Sequence, residues 1–161
     1  MMSTRVMVDM SATLLHHGHI RLLRKAAKYG EVVVGLSTDE DIEKYKGHIP
    51  LLTWKFRKEI LESIRYVSKV VETPYIITNE VLEEHGAQFL IHGADNINTV
   101  SKDRLIIFSR TPAISSNMLV EYNRQYNFIK QSTNSESVAK IHYETQIANN
   151  PDTRVTQQTG N

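Results

Sequence analysis

Cysteine is absent from the 161 residues. That excludes disulfides, thiolate metal sites and a cysteine nucleophile, and a reducing, cytoplasmic setting is the expectation. Long apolar runs are missing too. No stretch approaches the roughly 18 residues of a membrane span, and the first residues lack an apolar signal core. Neither sign of charge dominates: Lys and Arg total 19 against 18 for Asp and Glu, a formal net charge of +1. This balance argues against a bulk binder of nucleic acid or other polyanions, so anion recognition has to be local. What is present, 40% hydrophobic residues, suffices for one good core. One domain is expected over residues 1–130, followed by a flexible or partly helical tail over 131–161, where Asn, Thr, Gln and Ser dominate.

Strand and helix signals alternate along the first part. Arg5–Val8, Glu31–Leu36, Lys69–Glu72, Gln88–Ile91 and Leu105–Phe108 read as strands. The unbroken Val32-Val33-Val34 run suits a strand buried on both faces. Helices are expected from Ile20 towards Gly30, from Asp39 to about Tyr45, from Trp54 to Val67 behind a Thr53 cap, from Thr78 to about Glu84, and from Ser116 to Phe128. This alternation predicts an α/β fold, a Rossmann-like doubly wound sheet of five parallel strands. In such sheets ligands bind beyond the carboxyl ends of the strands. That rule gathers His16, His19, Asp39, the Lys44/Lys46 loop, Asp95 and the Arg110–Ser116 segment around one crevice.

The sharpest stretch is His16-His17-Gly18-His19, where the first strand gives way to a helix. Two imidazoles three residues apart share one face of a first helical turn. The free amides and positive dipole end of that turn point into the same space, and Gly18 lets a ligand approach the backbone. The pattern suits a phosphate. His17, His48, His85 and His92 read as structural or exposed, with His92 bordering the crevice. Zinc is disfavoured, because only His16 and His19 converge and no carboxylate stands at ligand spacing.

Taken in order, Leu14-Leu15-His16-His17-Gly18-His19, Ser37-Thr38-Asp39-Glu40, Lys44-x-Lys46, Arg57 to Val67, Gly93-Ala94-Asp95 and Arg110-Thr111-x-x-Ile114-Ser115-Ser116 resemble the small cytidylyltransferases of the HxGH nucleotidyltransferase superfamily. The likeness is to the glycerol-3-phosphate cytidylyltransferase type and to phosphonate-pathway cytidylyltransferase domains, over roughly residues 5–125. It implies that a phosphate oxygen of an acceptor attacks the α-phosphorus of CTP in line and that pyrophosphate leaves. The acceptor would be a glycerol-3-phosphate-like polyol phosphate, or a phosphonate such as 2-aminoethylphosphonate. His16, His19, Lys46 and Arg110 would be catalytic. Ser11, Gly18, Lys44, Arg57, Asp95, Thr111, Ser115 and Ser116 would bind the nucleotide or acceptor, with Mg²⁺ arriving on CTP. A homodimer is implied as well. Met10-Ser11-Ala12-Thr13 stands where the family usually has Gly-Thr/Val-Phe-Asp, and Asp9 is the nearby acid expected to substitute at the histidine loop.

Two rivals accompany this reading. Adenylyl transfer from ATP in the same fold is one, against which Arg110-Thr111 and the Arg57 helix speak. A nucleotide-binding module without turnover is the other.

Overall fold

A computed structural model describes residues 4–112 and 114–132. The expected tail beyond residue 132 lies outside these residues. The chain divides into two compact units, Met1–Thr111 and Pro112–Asn161.

The first unit holds five parallel strands, β1 (Arg5–Met10), β2 (Glu31–Ser37), β3 (Lys69–Thr73), β4 (Phe89–Gly93) and β5 (Leu105–Phe108). Their order is β3-β2-β1-β4-β5, so the α/β, Rossmann-like expectation holds. The chain winds outward from β1 to β3 and then returns to the other side of β1, which makes the β1/β4 seam the switch point. Val8 pairs with Ile91 there, placing Asp9 beside His92 at the carboxyl end. Strand alternation sends Val6, Val8 and Met10 to one face with Leu23, Ala26 and Leu61. Met7 goes to the other, with Ile77, Leu82 and Leu90. Both faces are therefore core, as an all-parallel sheet requires.

The helices are α1 (His17–Ala26), α2 (Asp39–Lys46), α3 (Trp54–Glu62), α4 (Asn79–Glu84) and α5 (Ser116–Ser132), the last in the second unit. Helix α1 starts three residues before the expected Ile20, because a histidine serves as its cap. Helix α3 stops five residues short of Val67. The Ser63 hydroxyl bonds back to the carbonyl of Glu59 at 2.9 Å, a competition that ends helices, and Ser68 already joins the β2 edge through the Val32 carbonyl. Thr53 precedes α3 but makes no side-chain cap. Asp39 does that work, accepting the Trp54 amide at 3.0 Å. Strand β4 runs on through His92 and Gly93, which composition alone reads as a turn. Gly30 closes the α1–β2 corner, where an added Cβ would lie 2.1 Å from the Thr4 carbonyl oxygen.

Candidate active site

Histidine replaces the usual Ser or Asp at the start of α1. The His16 Nδ1 accepts the Gly18 amide at 3.1 Å, and the His19 Nδ1 accepts the His16 amide at 3.2 Å. This reciprocal box satisfies two amides that a helix start leaves free. It also fixes the tautomers: with both Nδ1 atoms accepting, each ring carries its proton on Nε2 and offers it as a donor. The ring centroids are 4.0 Å apart. Burial first, then the neighbouring His16 and the Lys46 ammonium, holds His19 down at about 4. His16 is also lowered, by burial and then by His17 and Arg110. Both rings are thus neutral donors at neutral pH, and each titrates in the field of a cation set beside it.

Those cations come from the ends of other elements. Lys46 ends α2, and Gly47 follows in the left-handed conformation at φ 71°, a helix stop that glycine adopts freely. Partial burial lowers the Lys46 ammonium, opposed by attraction from Asp95 and assisted by repulsion from Arg57. Arg110, just past β5, reaches Asp95 at 3.5 Å. The approach is close enough that a Cβ on Gly93 would meet Asp95 Oδ1 at 3.0 Å. His16, His19, Lys46, Asp95 and Arg110 therefore face one another at the carboxyl end of the sheet.

The other expected residues are placed differently. The Lys44 ammonium lies 5.1 Å over the Tyr45 ring. Arg57 is fully buried rather than turned to solvent. Its Nε donates to the Leu52 carbonyl, Nη1 to Ser11, and Nη2 to Ser37 and to Asp39 Oδ1 at 2.6 Å. Four of the five N–H groups of a guanidinium are spent on the protein itself, so Arg57 and Asp39 form a clasp beneath the crevice. Ser11 contributes its carbonyl to that clasp. Gly18 supplies the amide that His16 caps. Thr111 is half-buried at the end of the first unit. Ser115, in the second unit, accepts the Met118 amide at 3.1 Å as an ordinary cap of α5, and Ser116 opens that helix.

Asp9 does not turn to the histidine loop. Its Oδ2 accepts Asn98 Nδ2 at 3.0 Å and lies 3.6 Å from His92 Nε2, while Oδ1 is buried without a hydrogen-bond partner. Burial raises its carboxyl, with His92 and Asn98 pulling the other way. Tyr75, after β3, completes this corner. Its phenol is raised by burial and by Asp9, and a hydrogen bond with Ser11 opposes both. Sequence reasoning passed over Tyr75, although the rule applied to the ends of the other strands reaches it at the end of β3.

The family model for cytidylyltransferase-like proteins matches residues 12–137. The chain belongs to this family. Among curated cytidylyltransferases, it is 39% identical over 98 residues to the ethanolamine-phosphate cytidylyltransferase of Mus musculus, covering 60% of this chain and 24% of that protein. The Dictyostelium discoideum ethanolamine-phosphate enzyme is 33% identical over 128 residues, covering 72% of this chain and 35% of that protein. The glycerol-3-phosphate cytidylyltransferase of Staphylococcus aureus is 44% identical over 68 residues, 42% of this chain and 51% of that one. The chain thus spans only a part of the length of these relatives. A lipopolysaccharide core biosynthesis protein from Thermoplasma volcanium shares the fold, with a TM-score of 0.58 at 21% identity over 68% of this chain and 98% of that one.

Proposed function

We propose that this cytidylyltransferase-like chain transfers a cytidylyl group from CTP to a small phosphorylated amino alcohol of the ethanolamine-phosphate kind, releasing pyrophosphate. The transfer needs positioning and charge stabilisation more than covalent chemistry, and the crevice offers those. The Nε2 protons of His16 and His19 donate to oxygens on the α-phosphorus and the leaving pyrophosphate. Lys46 and Arg110 supply the positive charge, and Asp95 pairs with Arg110 at the crevice mouth. Among the described residues no group of three or more His, Cys, Asp or Glu could hold a metal. In this reading magnesium arrives on the triphosphate's own oxygens; when bound, that ion would screen the triphosphate charge.

One observation carries the amino-alcohol reading: Asp9 is buried at the switch point with Oδ1 unpartnered, beside Tyr75 and His92. A primary ammonium supplies the missing donor and the opposite charge. The polyol reading rests on the match to the glycerol-3-phosphate enzyme. Steady-state rates with ethanolamine phosphate, 2-aminoethylphosphonate and glycerol 3-phosphate separate these. Ethanolamine phosphate is expected to be preferred, and Asp9→Asn to erode that preference by about tenfold or more while sparing the CTP KM. Equal use of glycerol 3-phosphate, untouched by Asp9→Asn, contradicts the assignment.

The reading includes a cytoplasmic homodimer. Ile49, Leu51, Phe56 and Ile60 are exposed together on and beside the loop leading into α3, Leu51 at 86%, a face that a second copy would cover. Sedimentation of the full chain at micromolar concentration tests it, and a monomer rejects it.

A further inference from the structure

Helix α2 carries Lys46 yet has little to hold its end. Ile42 is its one buried residue, and Glu43, Lys44 and Tyr45 are exposed. The loop that follows is open, with no atom within 4 Å of where a Gly47 Cβ would lie. Two contacts tie the helix to the loop after β3. The Asp41 carboxylate accepts the Tyr75 amide at 2.9 Å. The Tyr45 ring stacks on the Tyr75 ring, with centroids 4.5 Å apart and planes within 10°. The first fixes the opening half of α2; the second reaches its last turn. Tyr75 is itself held by that Asp41 bond, so the stack ties Lys46's turn to the loop after β3.

We propose that Tyr45 is a positioning residue: its stack on Tyr75 fastens the last turn of α2 and so aims the Lys46 ammonium at His19 and Asp95. What the aimed ammonium then meets, the triphosphate, rests on the function proposed above. An alternative exists in which Tyr45 only covers surface, and the two make different predictions. The Tyr45 hydroxyl makes none of the described hydrogen bonds, so the ring alone does the positioning and phenylalanine can replace it.

The test compares the full chain with Tyr45→Phe and Tyr45→Ala. The first readout needs no substrate: ring-proton NMR follows the titration of His19, which feels Lys46. Tyr45→Ala is expected to move that titration upward as the ammonium swings away, and Tyr45→Phe to leave it in place. The second readout is the CTP KM, expected to rise about five- to tenfold in Tyr45→Ala, the scale of one aromatic pair, with kcat changed less and Tyr45→Phe restoring the wild-type value. An unmoved His19 titration in Tyr45→Ala overturns the proposal. So does an unchanged CTP KM in Tyr45→Ala where the wild type turns CTP over. A wild-type protein inert towards CTP defeats the proposed function instead, and the NMR arm then decides the role of Tyr45 alone.

Discussion

At the scale of single residues the site is a set of neutral donors beside fixed cations. His16 caps α1 through Nδ1 and presents Nε2, and under the proposed function that donor would stabilise charge in the transition state. His16→Ala is expected to lower turnover by on the order of a hundredfold or more, with the circular dichroism spectrum retained; an unchanged rate contradicts its role. Under the same proposal Lys46→Ala is expected mainly to raise the CTP KM, since a point charge on the triphosphate would act in ground and transition states alike. His19 also makes stability depend on pH. It titrates at about 4 in the folded protein against an ordinary 6.5. Between these values the unfolded chain takes a proton that the folded one refuses, so its contribution is full above 6.5 and is lost as pH falls towards 4. The midpoint of thermal unfolding is expected to fall more steeply across that window in the wild type than in His19→Gln. Equal slopes contradict the assignment.

At the scale of elements, the clasp of Arg57 and Asp39 links the β1–α1 loop, the end of β2 and the start of α3. Arg57→Ala strands the carbonyls of Ser11, Ser37 and Leu52 and leaves Asp39 Oδ1 without its cation. A loss of about 3 kcal/mol or more in urea unfolding is expected. Arg57→Lys is expected to recover only part of it, because an ammonium cannot span the fork. A near-neutral Arg57→Ala would show that the clasp is dispensable. This element also marks where sequence reading runs out. The five strands were legible because β-branched runs bounded by turn residues have one good use in an alternating chain. The histidine pair was legible from its i, i+3 spacing at a strand–helix junction. Arg57 was legible only as a family position, since nothing local shows that a charged residue on an amphipathic helix will point inward to carbonyls 46 residues away in sequence. The start of α1 lies three residues earlier than the sequence suggests, because imidazole is an unusual cap. Asp9, His92 and Tyr75 meet only through strand order, a long-range property that no local window contains.

At the scale of the whole molecule, the sheet order β3-β2-β1-β4-β5 explains why one end carries the chemistry. The winding reverses between β1 and β4, and the ends of β1, α1, α2 and β4 and the segment after β5 bring the candidate site residues together there. Among the described residues no helix is long and apolar enough to cross a membrane, and the polar crevice is the feature that composition alone could not place. The central claim is cytidylyl transfer at this crevice. Phosphorus NMR of the full chain with magnesium, CTP and ethanolamine phosphate tests it most directly, with ATP as the comparison nucleotide. Equal amounts of pyrophosphate and a CDP-alcohol are predicted from CTP, with none from ATP and a rate in His16→Ala lower by on the order of a hundredfold or more. Pyrophosphate from ATP alone, or CTP bound and left intact with every phosphorylated acceptor offered, would contradict it.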